Sequence, residues 1–232
     1  MTQQFVTPIT YFLQEGRTNL PECLKIAFQA AKQQNVSKIV IFTARGEGVQ
    51  LALEDFCPLE EYNNIRLVAV TFPQGKEFTS EGKPLNVHIP DDTQRLLGEH
   101  NVPIIRAHLP FDPIAPPFGD RGVLAQDLSL VESALNVFGG SMSLCVQAVI
   151  LACDAGAIAL GEHVIAMTSD TAILVQATTT RRMLKELVIR EILCKPAILT
   201  IGRNESQLGS HIQNQLNQPK DAPAGDIKKL TP

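Results

Sequence analysis

No block of lysines or arginines runs through this sequence, and that absence makes the first exclusion. Its 20 basic residues are dispersed among 24 acidic ones, for a net charge of −4. A chain without a basic stripe is a poor partner for nucleic acid. There is no Cys-x-x-Cys pair either. Cys23, Cys57, Cys145, Cys153 and Cys194 are scattered, odd in number and mostly set in apolar runs. That pattern reads as buried free thiols in a reducing compartment. The N-terminal residues lack a charged segment followed by an apolar stretch, so no signal peptide is expected. No apolar run is long and unbroken: Leu144–Leu160 is interrupted by Gln147, Asp154 and Gly156. It suits a buried helix and not a membrane span. A cytoplasmic protein with no membrane partner is the expectation.

Spacing removes further classes. His88, His100, His108, His163 and His211 show neither HxxxH nor HxH order, so no metal is expected. No Ser-His-Asp or Cys-His combination can be argued, and no internal repeat is visible.

What is present is a globular composition of 232 residues, 44% apolar and 19% charged. Strand and helix signals alternate along it. Strands are expected at Ile9–Leu13, Lys38–Phe42, Ile65–Phe72, Pro103–His108, His163–Met167, Ala172–Ala177 and Ala197–Ile201. Helices are expected at Val49–Phe56, Asp91–Glu99, Val123–Phe138 and Ser141–Ala155, with another after Asn19. Asn19-Leu-Pro-Glu22 supplies that helix with an N-cap, a first-turn proline and a capping-box glutamate. Leu24, Ala27, Phe28 and Ala31 follow at helical spacing. Leu187–Cys194 fits strand or helix. Polar Pro73–Lys83 reads as a loop, and Leu109–Gly122 as an ordered loop over the sheet edge. From Gly202 onward few apolar residues remain, and residues 202–232 read as a disordered polar tail. Interleaved strands and helices predict one α/β domain over residues 1–201: a three-layer α/β/α sandwich with a mostly parallel mixed sheet.

The strongest candidate site lies at Lys38–Asp55. A β-rich run ends in Thr43-Ala-Arg-Gly-Glu-Gly48, which opens an amphipathic helix. Free backbone N–H groups and a helix N-terminus at one spot suit a phosphate. Thr43 brings a hydroxyl, Ala44 little bulk, Arg45 a bidentate cation, and Gly46 and Gly48 permit close backbone approach. The plainer alternative is a strand-to-helix turn whose glycines serve the backbone alone. Glu47 counts against a second anion, although it can hydrogen-bond a sugar or ribityl hydroxyl.

Asp154 ends an otherwise apolar helix, where a carboxylate opposes the helix dipole. It is expected to meet a ligand hydroxyl, or a structural partner in the loop around Thr168–Thr171. Asp170-Thr171 opens a strand, as a site element or as plain turn capping. Gly139-Gly140-Ser141 offers an anion site or a tight turn between helices. An enzyme of unknown reaction on a small phosphorylated or carbonyl substrate, using Asp154, Glu47 or His108 in acid/base roles, is the alternative to a binding domain.

Several segments carry a resemblance. They are Thr10-Tyr-Phe12 with Gly16 and Asn19, Lys38–Ala52, Phe138-Gly-Gly through Asp154-Ala-Gly156, Glu162-His-Val-Ile-Ala166, Asp170-Thr-Ala172 and Arg190-Glu-Ile-Leu-Cys-Lys-Pro196. In this order and spacing the chain resembles stand-alone proteins similar to the pyruvate kinase C-terminal domain, over roughly residues 8–200. The resemblance implies the α/β/α sandwich and makes Leu187–Cys194 a strand. It also implies a small-molecule role, with flavin mononucleotide as the cofactor and phosphate held at the Thr43–Gly48 loop. Asp154, Asp170 and Thr171 join that expected site, and a homo-oligomer is a further expectation. Pyruvate kinase activity is not implied, because that reaction belongs to a barrel of about 250 residues for which this chain has no room. Two departures matter. The family's glycine-rich loop before Asp-Thr-Ala is compressed here to Thr168-Ser169, and its helix Lys and Glu are replaced by Ser143 and Gln147.

Overall fold

The computed structural model describes residues 6–80, 83–112 and 123–197, within one compact unit, Met1–Ala197. In chain order the elements are β1 (Thr10–Phe12), α1 (Leu20–Gln33), β2 (Lys38–Phe42), α2 (Glu47–Asp55), β3 (Arg66–Thr71), β4 (Glu77–Ser80), β5 (Lys83–Asn86), α3 (Asp91–Glu99), β6 (Ile104–Arg106), α4 (Val123–Asn136), α5 (Met142–Asp154), β7 (His163–Met167), β8 (Ala172–Gln176), α6 (Met183–Glu186) and β9 (Val188–Pro196). The fold is α/β, with a mixed sheet of seven strands ordered β1-β9-β8-β7-β2-β3-β6. Among these strands only β8 runs against the rest.

The central strands are apolar on both faces because both faces are covered. Ile39 and Ile41 of β2, with Leu67 and Ala69 of β3, join α1 residues Leu24, Ala27 and Phe28 and α2 residues Val49 and Ala52 in one cluster. The alternate residues Val40, Phe42, Val68 and Val70 join α5 in a second cluster. The sheet sorts its side chains by this period of two. Helix α5 is buried from Met142 through Cys153, with Leu144 alone partly exposed. Its opposite side meets Leu128, Val131 and Leu135 of α4, so nearly all of its circumference is apolar.

Three local expectations need correction. Asn19 does not cap α1: its backbone is already helical, and its amide donates to the Gln14 carbonyl at 2.7 Å. A helical turn at Arg17–Asn19 runs straight into α1, which removes the extended backbone that an N-cap needs. The segment Pro73–Lys83 is not all loop, since β4 pairs antiparallel with β5 as a hairpin. Helix α2 begins at Glu47, two residues earlier than expected, so Gly48 lies in its first turn. Of the two readings of Leu187–Cys194, strand holds from Val188 onward, within β9. Residues 113–122 of the Pro-rich segment, residues 198–201 of the expected last strand and the tail 202–232 lie outside the described residues.

The strand order contains a switch point. From β2 the chain steps outward through α2 to β3, and through α3 to β6. It then returns by α4 and α5 to β7, on the other side of β2. The direction of travel therefore reverses between β2 and β7. In open α/β sheets such a reversal leaves a crevice beyond the carboxyl ends of the strands, where ligands of that architecture commonly bind. Among the described residues no helix is long and apolar enough to cross a membrane.

Candidate functional site

A cavity of about 200 Å³ opens at that crevice. Thr43, Ala44, Glu47 and Gly48 line it from the β2–α2 connection, Ser141 and Leu144 from the start of α5, and Thr168 and Ser169 from the β7–β8 turn. Arg17, Leu20, Ile41, Phe42 and Phe72 complete the wall.

The β2–α2 connection is built from its own hydrogen bonds. The Thr43 N–H extends the sheet to the Val70 carbonyl at 2.9 Å. Its hydroxyl accepts the Gly46 N–H at 2.9 Å. Gly46 sits at φ 91°, and its carbonyl receives the Val49 and Gln50 N–H groups that start α2. The N–H groups of Glu47 and Gly48 have no acceptor among the described residues. Those of Met142, Ser143 and Leu144 at the start of α5 are in the same position. Such first-turn donors have no partner within their own helix. Here the first turns of two helices border one cavity, and their dipoles favour negative charge there.

The glycines serve packing as well. A Cβ on Gly46 would fall 2.6 Å from the Thr93 Cγ2, and one on Gly48 3.2 Å from the Ile41 Cγ2. Arg45 is exposed and is not among the residues lining the cavity. The cation at the rim is Arg17, whose guanidinium lies 3.1 Å from the Glu47 carboxylate. That pair offsets the negative charge that counted against an anion.

Asp170 and Thr171 hold the site together from behind. Asp170 is buried and accepts the Gly16 N–H at 2.8 Å and the Thr171 hydroxyl at 3.0 Å. The Thr171 hydroxyl in turn accepts the Ser141 N–H at 3.0 Å. Neither residue lines the cavity; both fix the elements that do. A Cβ on Gly140 would come within 2.5 Å of that hydroxyl, so the turn before α5 requires glycine there.

Asp154 lies apart. It is exposed at the far end of α5, a 13-residue helix about 20 Å long. It accepts hydrogen bonds from the Thr180 N–H, at 3.1 Å, and from the Thr180 hydroxyl. The expected partner around Thr168–Thr171 sits at the opposite end, because α5 runs antiparallel to β7. His108 bonds the Asp112 carbonyl at 2.8 Å, and Asp112 pairs with Lys76 at 3.1 Å. Glu47, His108 and Asp154 are thus held by three separate sets of partners.

Ser143 and Gln147 of α5 pack inside the fold. Ser143 is buried, and the fully buried Gln147 accepts the Phe111 N–H at 2.9 Å. The described cysteines are free. The Cys23 sulfur lies 3.5 Å from that of Cys194, and its thiol is held well above the ordinary range by that hydrogen bond and by burial. Burial also pushes the Cys145 thiol up. Such thiols stay protonated and are poor nucleophiles. No group of three or more metal-ligating side chains occurs among the described residues.

Arg17 and Leu144 join the site without having been expected there, while Thr168 and Ser169 line it from the shortened loop that the resemblance pointed to. Gly139-Gly140-Ser141 was the visible signal for the α5 wall. No protein-family model matches the chain.

Proposed function

We propose that this chain is a small-molecule-binding domain for a phosphorylated ligand such as flavin mononucleotide, with no pyruvate kinase activity. In this reading it is a cytoplasmic three-layer α/β/α sandwich similar to the pyruvate kinase C-terminal domain, and a homo-oligomer. One observation carries the proposal: the first turns of α2 and α5, whose leading N–H groups have no acceptor among the described residues, both border a cavity on the switch point of the sheet. Helices packing on both faces of the sheet support the sandwich.

The cavity's volume limits what enters. Ligand pockets commonly measure about 300–1,000 Å³, and this one is about 200 Å³. It suits a phosphoryl group and the start of a ribityl chain, with a flavin ring outside it. Binding is favoured over catalysis because Glu47, His108 and Asp154 are held apart by separate partners.

Thermal unfolding with flavin mononucleotide and with riboflavin tests the proposal. The phosphorylated flavin is expected to raise Tm and riboflavin is not. Stabilisation by neither rejects the flavin version, and equal stabilisation by both rejects the phosphate cradle.

A further inference from the structure

A larger cavity, of about 390 Å³, opens at the other end of the sheet, where β2 and β3 begin. Its size falls in the usual range for small-molecule pockets, about 300–1,000 Å³. Lys38, Arg66 and Leu67 line it from the strand starts, and Tyr62 and Val102 line it from the connections alongside.

The cavity exists because β6 starts late. Ala69 of β3 pairs with Ile104, and the Ala69 N–H reaches the Pro103 carbonyl at 2.9 Å. Before Pro103 the chain is still tied to α3: the Asn101 and Val102 N–H groups return to the Gly98 and Leu97 carbonyls. At that end β3 therefore runs past its neighbour and leaves a notch. Backbone groups alternate sides along a strand. The Arg66 N–H points to β2, where the Ser37 carbonyl accepts it at 2.8 Å, so Leu67 faces the notch with Ala69. Continued register would pair the Leu67 carbonyl with the N–H of position 103, and proline has none. Neither the N–H nor the carbonyl of Leu67 has a partner among the described residues, although Leu67 is only 5% exposed. Buried peptide groups are seldom left so.

The charge here is unbalanced as well. Lys38 and Arg66 are register partners, two like charges side by side. Glu162 neutralises Lys38 at 3.0 Å. Arg66 has no ion pair, and no carboxylate lines the cavity, among the described residues. The nearby end of α3 opposes this charge little, because its Leu96, Leu97 and Gly98 carbonyls are taken up by following N–H groups.

We infer that this notch binds a small 2-hydroxy carboxylate with an apolar body, at a site separate from the Thr43–Gly48 cavity. One unpaired cation matches one negative charge. Arg66 and the Leu67 N–H receive the carboxylate. The Leu67 carbonyl accepts the hydrogen bond of the adjacent hydroxyl, and Tyr62 and Val102 border the apolar part. The inference does not depend on flavin binding.

Amide chemical-shift titration of labelled protein with mandelate, benzoate and benzyl alcohol, at fixed pH and ionic strength, tests it. Mandelate is expected to shift the Leu67, Asn101 and Val102 amides and to slow hydrogen exchange at Leu67. Benzoate lacks the hydroxyl and is expected to bind about threefold more weakly. Benzyl alcohol lacks the carboxylate and is expected to bind about tenfold more weakly. Arg66→Met, at an exposed strand start, is expected to weaken mandelate by a similar factor. Where that variant fails to fold, the comparison of the three ligands on the wild type carries the test. No shift at Leu67 with millimolar mandelate overturns the inference, as does either control binding as tightly as mandelate. Mandelate binding unchanged by Arg66→Met, or shifts confined to Glu47 and Gly48, also overturns it.

Discussion

The carboxylate of Asp170 accepts the backbone N–H of Gly16 at 2.8 Å, across 154 positions of sequence. Through Thr171 the same carboxylate reaches the N–H of Ser141 at the start of α5. The approach to α1, the β7–β8 turn and the α5 N-terminus are therefore tied at one buried charge. Asp170→Ala takes the acceptor from the Gly16 N–H and from the Thr171 hydroxyl, while the Ser141 N–H keeps the Thr171 oxygen. Urea unfolding is expected to show a loss of about 2–3 kcal/mol. Asp154→Asn, at an exposed carboxylate, is expected to cost less than about 1 kcal/mol.

Gly46 carries two separable constraints. Its φ of 91° is costly for alanine, and a Cβ would lie 2.6 Å from the Thr93 Cγ2. Gly46→Ala is expected to destabilise the fold by more than about 1 kcal/mol. Adding Thr93→Ser removes that methyl and is expected to recover part of the loss, leaving the backbone part. A double-mutant cycle in urea measures both contributions. Full recovery contradicts the backbone constraint, and no recovery contradicts the contact.

The buried thiols make stability sensitive to alkali. Cys23, Cys145 and Cys153 are all raised above their ordinary value of 9.0 in the folded chain. Their stabilising contribution is fully present below that unfolded value. As pH rises past it, the unfolded chain releases these protons first, so stability falls. Burial lowers Lys195, which acts in the opposite direction below its ordinary value of 10.5. The thiols outnumber it, so unfolding free energy is expected to fall from about pH 9 upward. Cys145→Ala is expected to flatten that slope, and an unchanged slope contradicts the assignment.

At the cavity rim, Arg17 offsets Glu47 across 3.1 Å. Arg17→Ala is expected to weaken flavin mononucleotide binding by roughly two- to fivefold, the scale of an exposed ion pair. Glu47→Gln is expected to strengthen it. Both effects shrink at high salt. Fluorescence titration of the flavin at two ionic strengths reads all of this.

The central strands were legible because burial on both faces writes itself as continuous apolar runs at Lys38–Phe42 and His163–Met167. The Thr43–Gly48 turn was legible from its glycines. Other features depend on partners that sequence does not announce. Polar residues at Glu77–Ser80 concealed a hairpin strand whose partner is Lys83–Asn86. Asp154 found Thr180 because α5 runs antiparallel to β7, which fixes the end of the helix that faces each turn. Arg17 reaches Glu47 only after α1 and α2 pack on one face of the sheet. The notch beside Leu67 arises only through the β3–β6 register. Arg45, chosen for its place in the loop, is exposed because the backbone turns at Gly46.

Amide chemical-shift mapping of the labelled protein with flavin mononucleotide tests the central claim most directly. The account predicts concentration-dependent shifts at Glu47 and Gly48 and at Met142–Leu144, the unpaired donors of the two helix starts. Shifts confined to other parts of the chain, or no shifts at millimolar ligand, would contradict it.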